Sequence, residues 1–243
     1  MSDDEDVGQS LIDEALFRPL RHGNAFEDTV ARLLQTIRLG IVPPGDALPA
    51  ERELASRFSV SRDTVREAIR SLSDAGYLVS RRGRYGGTFV SAVLPTAPQR
   101  DAPIPSAAEI EDVLALREIL EVGGTRAAAG RMLGAAERDQ LWTRLEETSL
   151  ASAPDYRRLD SRLHLTIAEL AGAPSLVSLL ADNRTRVNEL LDGIPLLARN
   201  IEHSNQQHRA IVTGILTGSP ERAADAMREH LEGSAALLRG FLA

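Results

Sequence analysis

The chain has 243 residues, a formal net charge of −7 and no cysteine. Disulfides, thiolate nucleophiles and cysteine-bound zinc are therefore excluded, leaving oxygen and imidazole as the strong metal ligands. No apolar run approaches the roughly 18–20 residues that cross a bilayer, and the start Ser2-Asp3-Asp4-Glu5-Asp6 is the opposite of a basic export signal, so a soluble, cytoplasmic chain with no membrane partner is expected.

The negative charge is unevenly distributed. Up to Leu16 there are six acids and no base; Phe17 to Leu94 holds twelve arginines against eight acids, and the remainder holds sixteen against twenty-one. Every base in the chain is arginine. The length suits two domains, and the basic one is the segment fit to meet phosphates.

In chain order, residues 1–24 read as a polar tail. From Ala25 to Leu39, apolar Phe26, Val30, Leu33, Leu34 and Ile37 recur at helical spacing, and Gly40 with Pro43-Pro44 ends that helix. A short helix is expected over Glu51 to Phe58, and a third from about Arg62 to Ala75 with Ser61 as its N-cap. Leu78 to Val90 then reads as a hairpin around Arg82-Gly83-Arg84-Tyr85-Gly86-Gly87. Residues 25–93 form one domain in this reading, and the proline-bearing stretch 94–108 is a linker. Beyond it, residues 109–243 show nearly continuous helical periodicity. The expected helices lie near Glu109–Met132, Ala135–Ser149, Asp155–Ala171, Ser175–Gly193, Leu196–Gly218 and Pro220–Leu242, an all-helical bundle by default.

Two constellations carry chemistry. On the third helix Arg62, Arg66 and Arg70 recur every four residues and share an outer stripe, with Thr64 beside the first of them. In a helix-turn-helix the first turn of the second helix reaches base edges, which favours Arg62, Thr64 and Arg66. Asp63 either accepts from a cytosine amino group or caps the helix. In the helical half Asp160 and His164 stand four apart on one helix face, and the last two helices bring His208 and His230. Three imidazoles and a carboxylate suit Zn, Ni, Mn or Fe. No general base is evident beside this set. Arg117, Arg184 and Arg186 are either anion partners for an effector or members of structural ion pairs.

The run Gly45-Asp46, Leu48-Pro49-Ala50-Glu51-Arg52, Val60-Ser61-Arg62, Thr64-Val65-Arg66-Glu67-Ala68 and Gly76-Tyr77-Leu78, followed by a glycine-containing wing, resembles the winged helix of the GntR family. That resemblance implies DNA contacts from Arg52, Arg62, Thr64 and Arg66, with the wing around Arg82 and Gly83 entering the minor groove. The helical half is similar to the FCD ligand-binding domain of the FadR subfamily. The likeness is carried by Arg117-Glu118, Leu120-Glu121, Asp160 to His164, Ala171-Gly172, Gln207-His208-Arg209-Ala210-Ile211, Ala223-Ala224, Met227 and His230-Leu231. Asp160, His164, His208 and His230 fill all four positions that metal-containing members use as ligands.

Together the resemblances imply a mainly α protein, a winged helix-turn-helix joined to an FCD-type bundle. Such a chain is a non-enzymatic transcription regulator that binds double-stranded operator DNA as a homodimer. It is expected to be a repressor, released by a small carboxylate effector bound near a divalent ion. Two rival readings are a metal-dependent hydrolase and a sensor in which the ion itself is the signal.

Overall fold

The computed structural model describes residues 25–81, 83, 86–95, 105–194 and 196–242. The tail 1–24, Arg82, Arg84, Tyr85 and the central part of the linker, 96–104, lie outside the described residues.

The first unit is built from α1 (Ala25–Arg38), α2 (Glu51–Phe58), α3 (Arg62–Asp74), β1 (Leu78–Arg81) and β2 (Gly87–Val90). The strands pair antiparallel, Leu78 opposite Val90 and Arg81 opposite Gly87, and Ala47 adds a bridge to Phe89. Leu33, Ile37, Leu48, Leu54, Val65, Ile69, Leu72, Leu78 and Val90 make its core. Each lies on the inward face of its element, so burying them fixes the helices against the hairpin and turns the polar face of α3 outward. Ser59, at φ 55, turns the chain between α2 and α3. The side chain of Ser61 then caps α3 by accepting from the Thr64 backbone N–H at 3.0 Å.

The second unit is all α: α4 (Ala107–Ala129), α5 (Ala135–Ser149), α6 (Ala153–Leu170), α7 (Pro174–Leu191), α8 (Ala198–Leu216) and α9 (Pro220–Leu242). A capping box starts α4, in which Ser106 Oγ accepts from the Glu109 N–H and the Glu109 carboxylate accepts from Ser106 N. The core joins Val122, Leu141, Leu145, Leu163, Ile167, Ile211, Ile215, Met227 and Leu231. Where α8 crosses α9 the backbones nearly touch: a Cβ on Gly214 would sit 2.9 Å from Ala223. This approach brings the buried ends of His208 and His230 into one layer.

The two units also meet. Leu39, just beyond α1, is 1% exposed and packs against Leu165, Ala168 and Leu180 of α6 and α7. Gln35 donates to Asp182 and Thr185 of α7, each at 3.0 Å. At Gly40, with φ +69, a Cβ would fall 2.7 Å from Arg158 Cγ, so the left-handed turn and the absence of a side chain both serve this contact.

Candidate metal centre and nucleic-acid interface

The metal-ligating side chains converge in the middle of the bundle. Asp160 and His164 face inward from α6, one turn apart, while His208 comes from α8 and His230 from α9. One ligand atom from each lies within 4.8 Å of the other three, and all four residues are buried. His208 Nε2 stands 3.3 Å from His230 Nε2 and 3.2 Å from Asp160 Oδ1, and His164 Nε2 is 3.7 Å from the same oxygen. Metal–ligand bonds of about 2.0–2.1 Å at tetrahedral angles require edges of about 3.3 Å. The three separations, 3.2, 3.3 and 3.7 Å, bracket that value. His164 Nε2 is buried with no hydrogen-bond partner, an arrangement that costs free energy unless something occupies the lone pair.

The groups behind the ligands set which nitrogen faces inward. Glu121 of α4 bonds His164 Nδ1, and Gln207 Oε1 lies 3.3 Å from His230 Nδ1. Each places the ring proton on Nδ1 and leaves the Nε2 lone pair for an ion. Glu121 is also held by Arg117 Nε at 2.8 Å and Arg184 Nη1 at 3.4 Å. Arg184 Nη2 donates to Asp160 and Ser161, its Nε is buried without a hydrogen-bond partner among the described residues, and Arg117 donates to Ser234 at 2.7 Å.

Burial pushes the Glu121 carboxyl up, but His164, Arg117 and Arg184 outweigh it and hold the group well below the usual carboxylate range. Asp160 behaves alike, with Arg184 and then His164 opposing burial. Burial pushes His164 down, yet the Glu121 and Asp160 carboxylates leave it above its ordinary value. His208 and His230 end below theirs, chiefly through burial, with neighbouring imidazoles adding to the effect on His230. The set therefore offers an anionic oxygen and, in His208 and His230, imidazoles biased toward the neutral form, while His164 holds its proton more firmly and must release it to bind a divalent ion.

Several expectations need adjusting. A carboxylate does stand beside the ligand set: Glu121, whose resemblance-bearing position had no role assigned from sequence. It is 2% exposed, bonded to His164 Nδ1 and engaged by two guanidiniums, so it is badly placed to activate a water at the ion. Arg117 and Arg184 are drawn into the cluster as partners of Glu121 and Asp160. Arg186 is not: its side chain is exposed, and its charge only adds to the lowering of Glu109 at the start of α4. His203 is exposed, apart from the cluster.

In the first unit α3 presents Arg62, Arg66 and Arg70 outward, and Arg52 of α2 is also exposed. Thr64 is half-buried, its hydroxyl 2.8 Å from Ser61 Oγ. Asp63 does not cap the helix, since Ser61 does; its carboxylate accepts from Arg66 Nη1 at 3.0 Å. Arg66 Nη2 reaches Glu51 at 3.2 Å. Pairs this exposed contribute about 0–1 kcal/mol, so they restrain Arg66 without committing it. Gly83 is exposed at φ +107 in the hairpin turn, where Arg81 lies 4.5 Å over the Phe89 ring. Arg82 lies outside the described residues.

Comparisons with known proteins cover both units. The family described as "Bacterial regulatory proteins, gntR family" matches residues 26–90, and the FCD domain matches 112–233. The "Putative L-lactate dehydrogenase operon regulatory protein" of Escherichia coli is 30% identical over 88% of this chain and 84% of its own length. The "HTH-type transcriptional repressor NanR" of Cronobacter sakazakii is 29% identical over 95% of this chain and 91% of its own. Among solved structures, E. coli McbR/YncC shares the fold, with a TM-score of 0.55 at 16% identity over 90% of this chain and 98% of that one. No helix among the described residues is long and apolar enough to cross a membrane.

Proposed function

Because this chain belongs to the GntR family of DNA-binding transcription regulators and carries an FCD domain, we propose that it is a homodimeric repressor released from operator DNA by a small carboxylate bound beside a divalent ion. The observation that carries the effector half of this reading is the convergence of Asp160, His164, His208 and His230 around a buried, unpartnered His164 Nε2. These four residues would hold Zn, Ni, Mn or Fe. When bound, such an ion supplies a Lewis-acidic point for a carboxylate or hydroxyl oxygen.

In this reading Arg117 and Arg184 do not capture the effector directly. They donate to Glu121, Ser234, Asp160 and Ser161, so their main part is to orient the carboxylates that in turn orient the ligand set, although Arg184 Nε is buried without a hydrogen-bond partner. Arg186 has no part in the site. Coupling to DNA has a physical route. Leu165, the neighbour of His164, packs on Leu39, and Asp182 and Thr185, on the helix of Arg184, receive Gln35. The helices that carry the cluster therefore also seat α1. A ligand that favours one seating over another shifts the balance of DNA-binding states. Arg52, Arg62, Thr64, Arg66, Arg82 and Gly83 are the proposed DNA contacts.

The test is a fluorescence-anisotropy titration of metal-loaded protein against fragments of its own promoter and scrambled DNA of equal length. Small carboxylates are added, beginning with L-lactate because of the relative named above. Salt-sensitive preference for the promoter, weakened about five- to 150-fold by one of the acids and only while metal is present, is expected. Equal affinity for promoter and scrambled DNA would sink the reading.

A dimer interface is proposed on α4, where Leu116 and Ile119 are 42% and 71% exposed on adjacent turns. The packed neighbour α7 adds Leu179 at 56%. Such apolar exposure favours burial against a second copy. Ile119→Asp should move the protein from dimer to monomer in sedimentation equilibrium and weaken operator binding in parallel. A variant that stays dimeric would place the interface elsewhere.

A further inference from the structure

A second cleft lies at the seam of the two units, away from the metal-ligating cluster. It encloses about 470 Å³ and is lined by Pro43 from the DNA-binding unit, and by Leu150, Ala151, Leu159, Arg158 and Arg162 among residues of α5, α6 and their connection. This volume falls in the range of small-molecule sites, about 300–1,000 Å³. Its walls set Pro43, Leu150, Ala151 and Leu159 beside polar and charged side chains, and its acids are already matched. Glu147 is paired with Arg144, and Asp155 accepts from Arg158 at 2.9 Å and from Ser152 Oγ at 2.7 Å.

Arg162 is the exception. It is half-buried, and its guanidinium has no hydrogen bond or ion pair among the described residues. Burial, then the nearby Arg144 and Arg158, disfavour its charge, with only partial relief from Glu147 and Asp46. A half-buried guanidinium whose donors no described protein group takes, in a cleft open to water, can exchange its hydration for a carboxylate.

We propose that this cleft binds a small organic carboxylate with an apolar body, its carboxylate on Arg162 and its body against Pro43, Leu150 and Leu159. The ligand touches both units, so its occupancy stabilises the arrangement in which the α1–α2 turn rests on α6. The site needs no metal and is separate from the effector site proposed above.

Benzoate is a suitable probe because it joins a carboxylate to an apolar ring. It would be titrated calorimetrically into the metal-stripped full chain, with inorganic phosphate as a competitor. Saturable binding at one site per chain is expected, unaffected by His208→Ala, not displaced by phosphate, and weakened about tenfold or more by Arg162→Gln. Operator binding by Arg162→Gln, measured alongside, is expected to match the parent and so to report a folded chain; if it does not, Arg162→Lys, which keeps the charge, replaces it and should retain binding. Absence of saturable binding in the parent overturns the proposal. So does equal binding by parent and Arg162→Gln, loss of binding in His208→Ala, or displacement by phosphate.

Discussion

Replacing Glu121 with alanine is expected to destabilise the protein by about 3–5 kcal/mol, the cost of breaking a buried ion-pair network by removing one partner. Glu121 receives Arg117, Arg184 and His164 at a position 2% exposed to solvent. Without it, Arg117 keeps only Ser234, and Arg184 keeps Asp160 and Ser161. Two guanidiniums would share a dry interior with one carboxylate. Domains are stable by about 5–15 kcal/mol in total, so a large share of the margin is at stake. Urea unfolding followed by circular dichroism measures it; a midpoint unchanged from the parent contradicts the account. Glu121→Gln keeps the shape and an acceptor for His164, and should weaken metal binding about 10- to 100-fold.

The second large effect concerns DNA. Arg62→Ala and Arg66→Ala should each cost about 1–3 kcal/mol of specific binding and relax base preference at the positions they read. Combined, they should bring promoter affinity close to that for scrambled DNA. Arg66 must exchange Asp63 and Glu51 for its DNA partner, but those contacts are exposed and are worth little to the free protein. Arg70, two turns from the start of α3, serves as the comparison. Its alanine variant should lower affinity for all sequences alike and reduce the salt dependence by about one phosphate contact. Undiminished promoter preference in the Arg62, Arg66 double variant would remove α3 from the interface.

Much of this was legible because the chain is locally consistent. Phe26, Val30, Leu33 and Ile37 announce α1 by their spacing. Asp160 and His164 share a face for the same reason, and Ser61 marks the start of α3 by its capping chemistry. What a single sequence hides is contact between distant elements. Glu121 stands four residues after Arg117, a spacing that reads as an ordinary intrahelical pair; only the packing of α4 on α6 and α7 reveals that it also meets His164 and Arg184.

Arg184 and Arg186 look equivalent as anion partners in the sequence. Two residues on a helix differ by about 200°, so a single inward face could admit only one, and periodicity could have made that choice. Asp63 suited a cap or a cytosine contact, and the structure gives it to Arg66. The seating of Leu39 on Leu165, Ala168 and Leu180 has no local signature. Neither does the cleft around Arg162.

The proposed role of the helical half depends on a divalent ion held through Asp160, His164, His208 and His230. Calorimetric titration of Ni²⁺ into the chelator-stripped full chain, with the bound metal then counted by mass spectrometry, tests it most directly. One ion per chain is expected, with uptake abolished in a His164→Ala, His208→Ala double variant whose circular dichroism matches the parent. No stoichiometric uptake by the parent, or the same uptake by the double variant, would contradict it.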